Sequence, residues 1–407
     1  MEKKSDEEIL QEIPKVVLHL HLDGSLRPET VKEWIDELLS KTSKLNGNQE
    51  ESIVEQLPEN AQKHLESLKG NVGEWLKKLI NSGISEVTLG KVKEMLTVES
   101  DNKDLNQYLE KFDLPLHFLQ TEEHIERATF ELYEDLHNQG VKYAEVRFAP
   151  SLHLSGGLSY DKIVEAAIRG MDRANKEYGI MGHLILCCMR GEGKDNKEAN
   201  QETVNVAERY LGKGVCALDL AGAEALYPTE NFIDIFKEAK EKNIPFTIHA
   251  GEAAGPKSII EALKMGAARI GHGIRCIEDT EVVKILSRFK IPLEICPVSE
   301  VQTNAAQKDK FPLADLLRCN IPATISSDNN TVSGTNIIND LKWVIENTDL
   351  ILDDLLRMQE NAKEAIFGTE EEKDEIEASM EEYKQKQRKL QEDKRRRKIE
   401  SSGLIIE

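Results

Sequence analysis

The sequence predicts an α/β fold, a closed (β/α)8 TIM-type barrel, and three observations carry that reading. Short runs rich in Val, Ile and Leu recur eight times along the chain. Segments of helical period separate the later runs, the pattern of parallel strands joined by crossovers. Histidines and acids gather where the runs end, and in such a barrel the strand ends carry the chemistry.

The first run is "VVLHLHL" (16–22). The others are "VKYAEVRFAP" (141–150), "HLILCCMR" (183–190), "GVCALDLAG" (214–222), "IPFTIHAGE" (244–252), "RIGHG" (269–273), "IPLEICP" (291–297) and "IPATISSDN" (321–329). Segments such as "NFIDIFKEAKEKN" and "KSIIEALKMGA" alternate with them at helical period. A doubly wound open sheet is the alternative, but no GxGxxG follows the first strand, which weighs against its nucleotide-binding versions.

Two segments stand outside the alternation. The gap of roughly 29–140 reads mostly as helix and predicts a helical insertion between strands 1 and 2. Within it, "ENAQKHLESLKGNVGEWLKKLI" has helical spacing, and "DLNQYLEKF" puts Leu105, Tyr108, Leu109 and Phe112 at i, i+3, i+4 and i+7. That stripe fits ordinary core packing or a cap over the first strand's loop. After Phe367 the chain is highly charged and predicts a solvated helical tail, so the barrel would occupy 13–367 and the tail 368–407. "KRRRK" (394–398) reads as a solvated helix end, with a nuclear address or an anionic contact as the alternative.

Composition narrows the function classes. Of 407 residues, 39% are hydrophobic and 31% charged, and no run approaches a membrane span, so no membrane partner is expected. The N-terminal "MEKKSDEEIL" is too polar for a signal peptide. Six cysteines without CxxC spacing read as reduced thiols, so a cytoplasmic location is expected. The formal net charge of −21 argues against nucleic acid as a partner and weakly favours a neutral or cationic small molecule.

The strand ends then carry the argument. His19 and His21 lie two apart in strand 1, so both imidazoles share a face. Taken alone, such a pair fits metal ligation or hydrogen-bonded core residues equally well. Strand 5 ends in His249, with Glu252 three residues on; strand 6 carries His272; strand 8 ends in Asp328. Three imidazoles and a carboxylate suit a borderline divalent ion, most naturally one zinc per chain, held by His19, His21, His249 and Asp328 with an open position for water. Zinc lowers the pKa of such water to about 7. His272 would orient or deprotonate it, and Glu252 would transfer a proton to the substrate.

"HLHLDGSLRP", "ILCCMR", "DLAG", "HAGE", "GHG", "EICPVS" and "SSDN" together resemble the motif set of the adenosine deaminase family, a zinc branch of the amidohydrolase barrels. The motifs stand in the family's order, and the resemblance spans roughly 13–367. It implies hydrolytic deamination of adenosine and 2′-deoxyadenosine to inosine and 2′-deoxyinosine with release of ammonia, a purine-salvage reaction. His19, His21, His249 and Asp328 match the metal ligands, Glu252 the proton donor to the ring nitrogen, and His272 the residue beside the hydroxide. His21 would also face the substrate, and Asp328 is counted with the catalytic groups. Gly222 matches a glycine whose N–H meets another ring nitrogen, Asp23 the acid that binds the ribose 5′-hydroxyl, and Asn329 the side chain that meets N7. Leu105, Tyr108, Leu109 and Phe112 look like the apolar lid of the pocket.

The chain departs from the pattern in four places. Ala223-Glu224 stands where animal members carry an acid pair, and Asp328-Asn329 where others have two aspartates. The segment between strand 1 and the lid is long, and the basic tail has no counterpart. Competing readings are a deaminase for adenine, AMP or N6-methyl-AMP, and a silent binding protein on the same barrel. Asp23 weighs against a phosphate at the 5′ position. The oligomeric state is not legible.

Overall fold

All eight strands form, each parallel to its neighbour. The computed structural model describes residues 6–43, 54, 62, 70–99, 102 and 104–401. The strands are β1 (Lys15–His21), β2 (Val141–Phe148), β3 (Met181–Met189), β4 (Val215–Ala221), β5 (Thr247–Ala250), β6 (Arg269–His272), β7 (Leu293–Ile295) and β8 (Ala323–Ile325). They make two four-stranded sheets, β1–β4 and β5–β8. Two seams close the ring. Leu218 of β4 bridges Phe246, and Leu20 of β1 bridges Asp328, where the His21 N–H donates to the Asp328 carbonyl at 2.7 Å. The chain thus closes as a (β/α)8 barrel with helices outside.

Inside the barrel the strands are not purely apolar. Glu145 and Arg147 of β2, Asp219 of β4, Arg269 of β6 and Glu294 of β7 are all essentially buried. They pair with one another: Arg269 with Glu145 (2.5 Å) and Glu294 (2.7 Å), Arg147 with Asp219 (3.0 Å) and Glu294 (2.8 Å). Such charges are tolerated in a core only when each has its partner.

The gap between β1 and β2 contains the helices Pro28–Ser43, Gly70–Asn81 and Leu89–Leu96, the lid segment, and the helix Glu122–Asn138 that leads into β2. Most of 59–69, expected to be helical, lies outside the described residues. No helix of the described residues is long and apolar enough to cross a membrane.

The tail corrects an expectation. Its helix spans Glu370–Ser401, but its first half is packed rather than solvated. Ile376, Met380 and Tyr383 are buried, and Ile376 and Met380 join Val16, Leu18, Tyr143 and Ile366 in one apolar cluster. Glu372 pairs with His183 of β3 at 2.9 Å. Phe367 donates its N–H to Glu145 at 2.6 Å, and its ring lies 3.8 Å from the Arg269 guanidinium carbon. The charge of the segment masks an apolar stripe spaced i, i+4, i+7. The backbone of 394–398 is helical, and its side chains lie outside the described residues.

Candidate active site

The carboxyl ends of the strands open into a cavity of about 670 Å³. His21, Asp23, Gly222, His249, Glu252, His272, Asp328 and Asn329 line it, with Leu105, Tyr108, Leu109 and Phe112 above. His19 lies behind them, fully buried. The fold therefore brings every residue singled out from the sequence to one place.

Four of these residues converge tightly. One donor atom each from His19, His21, His249 and Asp328 falls within 4.8 Å of all the others. Nε2 of His21 and Nε2 of His249 face each other at 3.2 Å, and Nε2 of His19 and of His21 each lie 3.4 Å from Asp328 Oδ1. The opposite ring nitrogens are occupied: His19 Nδ1 lies 2.8 Å from Glu294, and His249 Nδ1 lies 2.8 Å from Asp219. The hydrogen bond to Glu294 fixes the His19 tautomer and turns its Nε2 lone pair inward, while Asp219 lies against His249 Nδ1 without hydrogen-bond geometry. His19 Nε2 is buried with no hydrogen-bond partner. Burial holds His19 down at about 4 and His21 well below the usual imidazole range, so both rings are neutral. Burial works against charge on Asp328, yet its carboxyl stands well below the usual carboxylate range, with the charged His272 ring among the groups that hold it there. Neutral imidazoles with inward lone pairs beside an ionised carboxylate fit a divalent metal ion.

A second pair stands beside this cluster. His272 Nε2 lies 3.7 Å from Glu252 Oε2, and His272 Nδ1 lies 3.2 Å from Glu300. Burial raises the Glu252 carboxyl above its ordinary value. For His272 burial acts downward, but the Glu252, Glu300 and Asp328 carboxylates outweigh it and lift the ring to about 10. The pair thus holds a proton next to the cavity.

The backbone is shaped for these roles. Six non-glycine residues have positive φ among the described residues. Asn243, Lys290, Asn304 and Asn320 follow the ends of helices, whereas His272 and Asp328 (both φ 59°) sit in the site. Strain of this kind gathers where the surrounding structure dictates a side chain's aim. Gly222 has φ 103°, open to glycine at no steric cost. Gly24 answers a different need: a Cβ there would lie 1.8 Å from Asn329 Oδ1, so only glycine lets that amide sit where it does.

The lid begins at Asp104, whose side chain caps the helix Leu105–Leu109 by accepting from the Gln107 N–H. A turn over Glu110–Phe112 and the helix Asp113–Phe118 follow. Tyr108 is buried, with its hydroxyl 2.6 Å from Ser333 Oγ. Val98 donates its N–H to the Val332 carbonyl at 2.9 Å. The apolar lid is thereby tied to the loop that carries Asp328 and Asn329.

Sequence reasoning passed over the residues that orient the site. Asp219 and Glu294 steer two histidines, Arg147 bridges both carboxylates, and Ser299 donates to Asp328 Oδ2 at 2.6 Å. Arg190 donates to the His249 carbonyl at 2.6 Å and the Tyr227 carbonyl at 2.7 Å. The available signal was an acid or arginine inside an apolar run, which demands a buried partner.

Comparison with known proteins agrees with the geometry. The model of the family described as adenosine deaminase matches residues 78–383. The chain belongs to the adenosine deaminase family. An adenosine deaminase from Haemophilus ducreyi is 39% identical over 361 residues, covering 88% of this chain and 92% of that protein. One from Clostridium kluyveri is 36% identical, covering 92% and 94%. Among solved structures, the N6-methyl-AMP deaminase of Arabidopsis thaliana superposes with a TM-score of 0.72 at 24% identity, covering 92% of this chain and 98% of that one, a likeness of fold. As a member of the family the chain is a hydrolase of carbon–nitrogen bonds.

Proposed function

We propose that this enzyme deaminates adenosine and 2′-deoxyadenosine to inosine and 2′-deoxyinosine, releasing ammonia. One observation carries the reading: the four-donor cluster and the proton-holding Glu252–His272 pair face the same cavity. A zinc ion held by His19, His21, His249 and Asp328 would supply a water acidic enough to attack at neutral pH. Water adds at C6 while Glu252 gives its proton to the adjacent ring nitrogen; the amine takes up one of the water's protons and leaves as ammonia as the C6–N bond breaks, and the other, lost as the C6–OH becomes a carbonyl, restores Glu252. His272, between Glu252 and Glu300, orients the attacking oxygen. Gly222 offers a backbone N–H to the opposite side of the ring. Leu105, Leu109 and Phe112 cover the purine and keep bulk water out.

Asp23 supports a nucleoside over a nucleotide. It is 5% exposed, lines the cavity, and its Oδ1 has no hydrogen-bond partner. Burial pushes the Asp23 carboxyl up to about 7, so it accepts from a 5′-hydroxyl and, in its ionised form, repels a 5′-phosphate. Like charges brought together cost several kcal/mol, about 10²-fold or more in kcat/KM. Ammonia release measured over adenosine, 2′-deoxyadenosine, adenine, AMP and N6-methyl-AMP tests this. Adenosine and its deoxy form should lead, with AMP lower by about 10². A preference for either nucleotide, or for the free base, overturns the substrate assignment.

Asn329 is proposed to read N7. N7 only accepts, and an amide donates at every pH, whereas aspartate donates only when protonated. A substrate with N7 replaced by C–H should lose about 1–3 kcal/mol of transition-state binding. Asn329→Ala should erase most of that discrimination. Equal discrimination in both enzymes would mean that Asn329 only shapes its turn.

A further inference from the structure

The loop that carries Glu252 is built around a carboxylate with no place in the chemistry above. Glu224 is 2% exposed. Its Oε1 accepts from the Gly251 N–H at 2.8 Å and from Ser258 Oγ at 2.5 Å. Its Oε2 accepts from three successive backbone groups, the N–H of Glu252 (3.1 Å), Ala253 (2.7 Å) and Ala254 (2.8 Å). Four consecutive peptide N–H groups thus curl around one side chain, with Gly251 at φ 79° making the first bend. Successive N–H groups turned inward form an anion-binding concavity, and here the anion is part of the chain. From the other side, Arg275 donates to the Ala253 carbonyl at 2.9 Å.

We propose that Glu224 is the positioning residue for the proton donor: its buried carboxylate gathers the N–H groups of 251–254 and so sets where the Glu252 carboxyl meets the substrate ring. The inference rests on Glu252 being that donor. Glu252 begins two residues after β5, where no sheet hydrogen bond holds the backbone. Its side chain meets His272 only at 3.7 Å, too far to fix it. Arg275 holds the carbonyls of Gly251 (3.1 Å) and Ala253 (2.9 Å), and the peptide N–H groups on either side of the Glu252 Cα are held by the Glu224 carboxylate. Glutamine keeps the shape but turns an N–H toward other N–H groups, so at least one bond is lost and the loop shifts. Misplacing a reacting group by about 1 Å can cost about 10²-fold.

The experiment is a double-mutant cycle on the metal-loaded enzyme, with Glu224→Gln, Glu252→Gln and both together. Glu224→Gln should lower kcat by about 10- to 100-fold, with KM and metal content nearly unchanged. Glu252→Gln should lower it by about 10²–10⁴. In the Glu252→Gln background, Glu224→Gln should cost less than about threefold, because a misplaced donor cannot be missed twice. Factors that multiply, or a Glu224→Gln enzyme with normal kcat, overturn the proposal. A Glu252→Gln enzyme with normal turnover removes the donor assignment, and the inference with it. Ser258→Ala provides the gentler arm should Glu224→Gln not fold. It removes one partner of Glu224 and should lower kcat by about two- to fivefold only when Glu252 is present; the same loss in the Glu252→Gln background also overturns the proposal.

Discussion

A chain ended at Phe367 is expected to lose much of its stability. Ile376 and Met380 bury their side chains against Val16, Leu18 and Tyr143. Burying each contributes about 1.5–3 kcal/mol, so the pair contributes about 3–6 kcal/mol. Domains commonly hold only about 5–15 kcal/mol in total. Truncation also uncovers two residues of β1, the strand that carries His19 and His21, and removes the Glu372 partner of His183. The melting temperature should fall by roughly 5–15 °C, or the protein should aggregate. Ile376→Asp in the full chain should act in the same direction, because it buries a charge with no partner. A cut after Lys389 spares all three buried residues of the helix and should move the melting temperature by less than about 2 °C. A chain ended at Phe367 that melts within about 2 °C of the full protein would show that the cluster adds nothing.

The strands and the candidate site were legible for the same reason. A buried parallel strand reads as an unbroken apolar run, so a histidine or acid at its end stands out. "HLH", "HAGE", "GHG" and "SSDN" are such interruptions, and all lie at carboxyl ends in the structure. Glu224 was harder to read. It sits in a loop, where acids are ordinary, and its partners are backbone groups about 27 residues away that leave no mark on composition. Asp219, Glu294 and Arg147 were visible as charges within strands, but their pairing depends on which strands face each other across the barrel. The tail misled because Ile376, Met380 and Tyr383 are three apolar residues among many charges. Period, not composition, carried their meaning.

Removing one imidazole should cost the enzyme both its metal and its turnover. His249 sits on β5 with Nδ1 against Asp219 and Nε2 facing His21. His249→Ala deletes one of four converging donors and leaves a hole that water can fill only as a weaker ligand with no tether to the chain. The fold should survive, because Arg147 still neutralises Asp219 at 3.0 Å. About one zinc per chain is expected in the unaltered protein, and less than about a tenth of that in His249→Ala after dialysis against a chelator. Turnover should fall by at least about 10³, the scale of an activated water and a polarised substrate lost together. Asp219→Asn makes the comparison sharper. It keeps every donor and only weakens the hold on the His249 ring, so metal affinity should drop by about 10–100-fold without being abolished. The order of the two effects is the test. If Asp219→Asn lost more metal than His249→Ala, or if His249→Ala kept full occupancy and normal turnover, the cluster would not be the metal site.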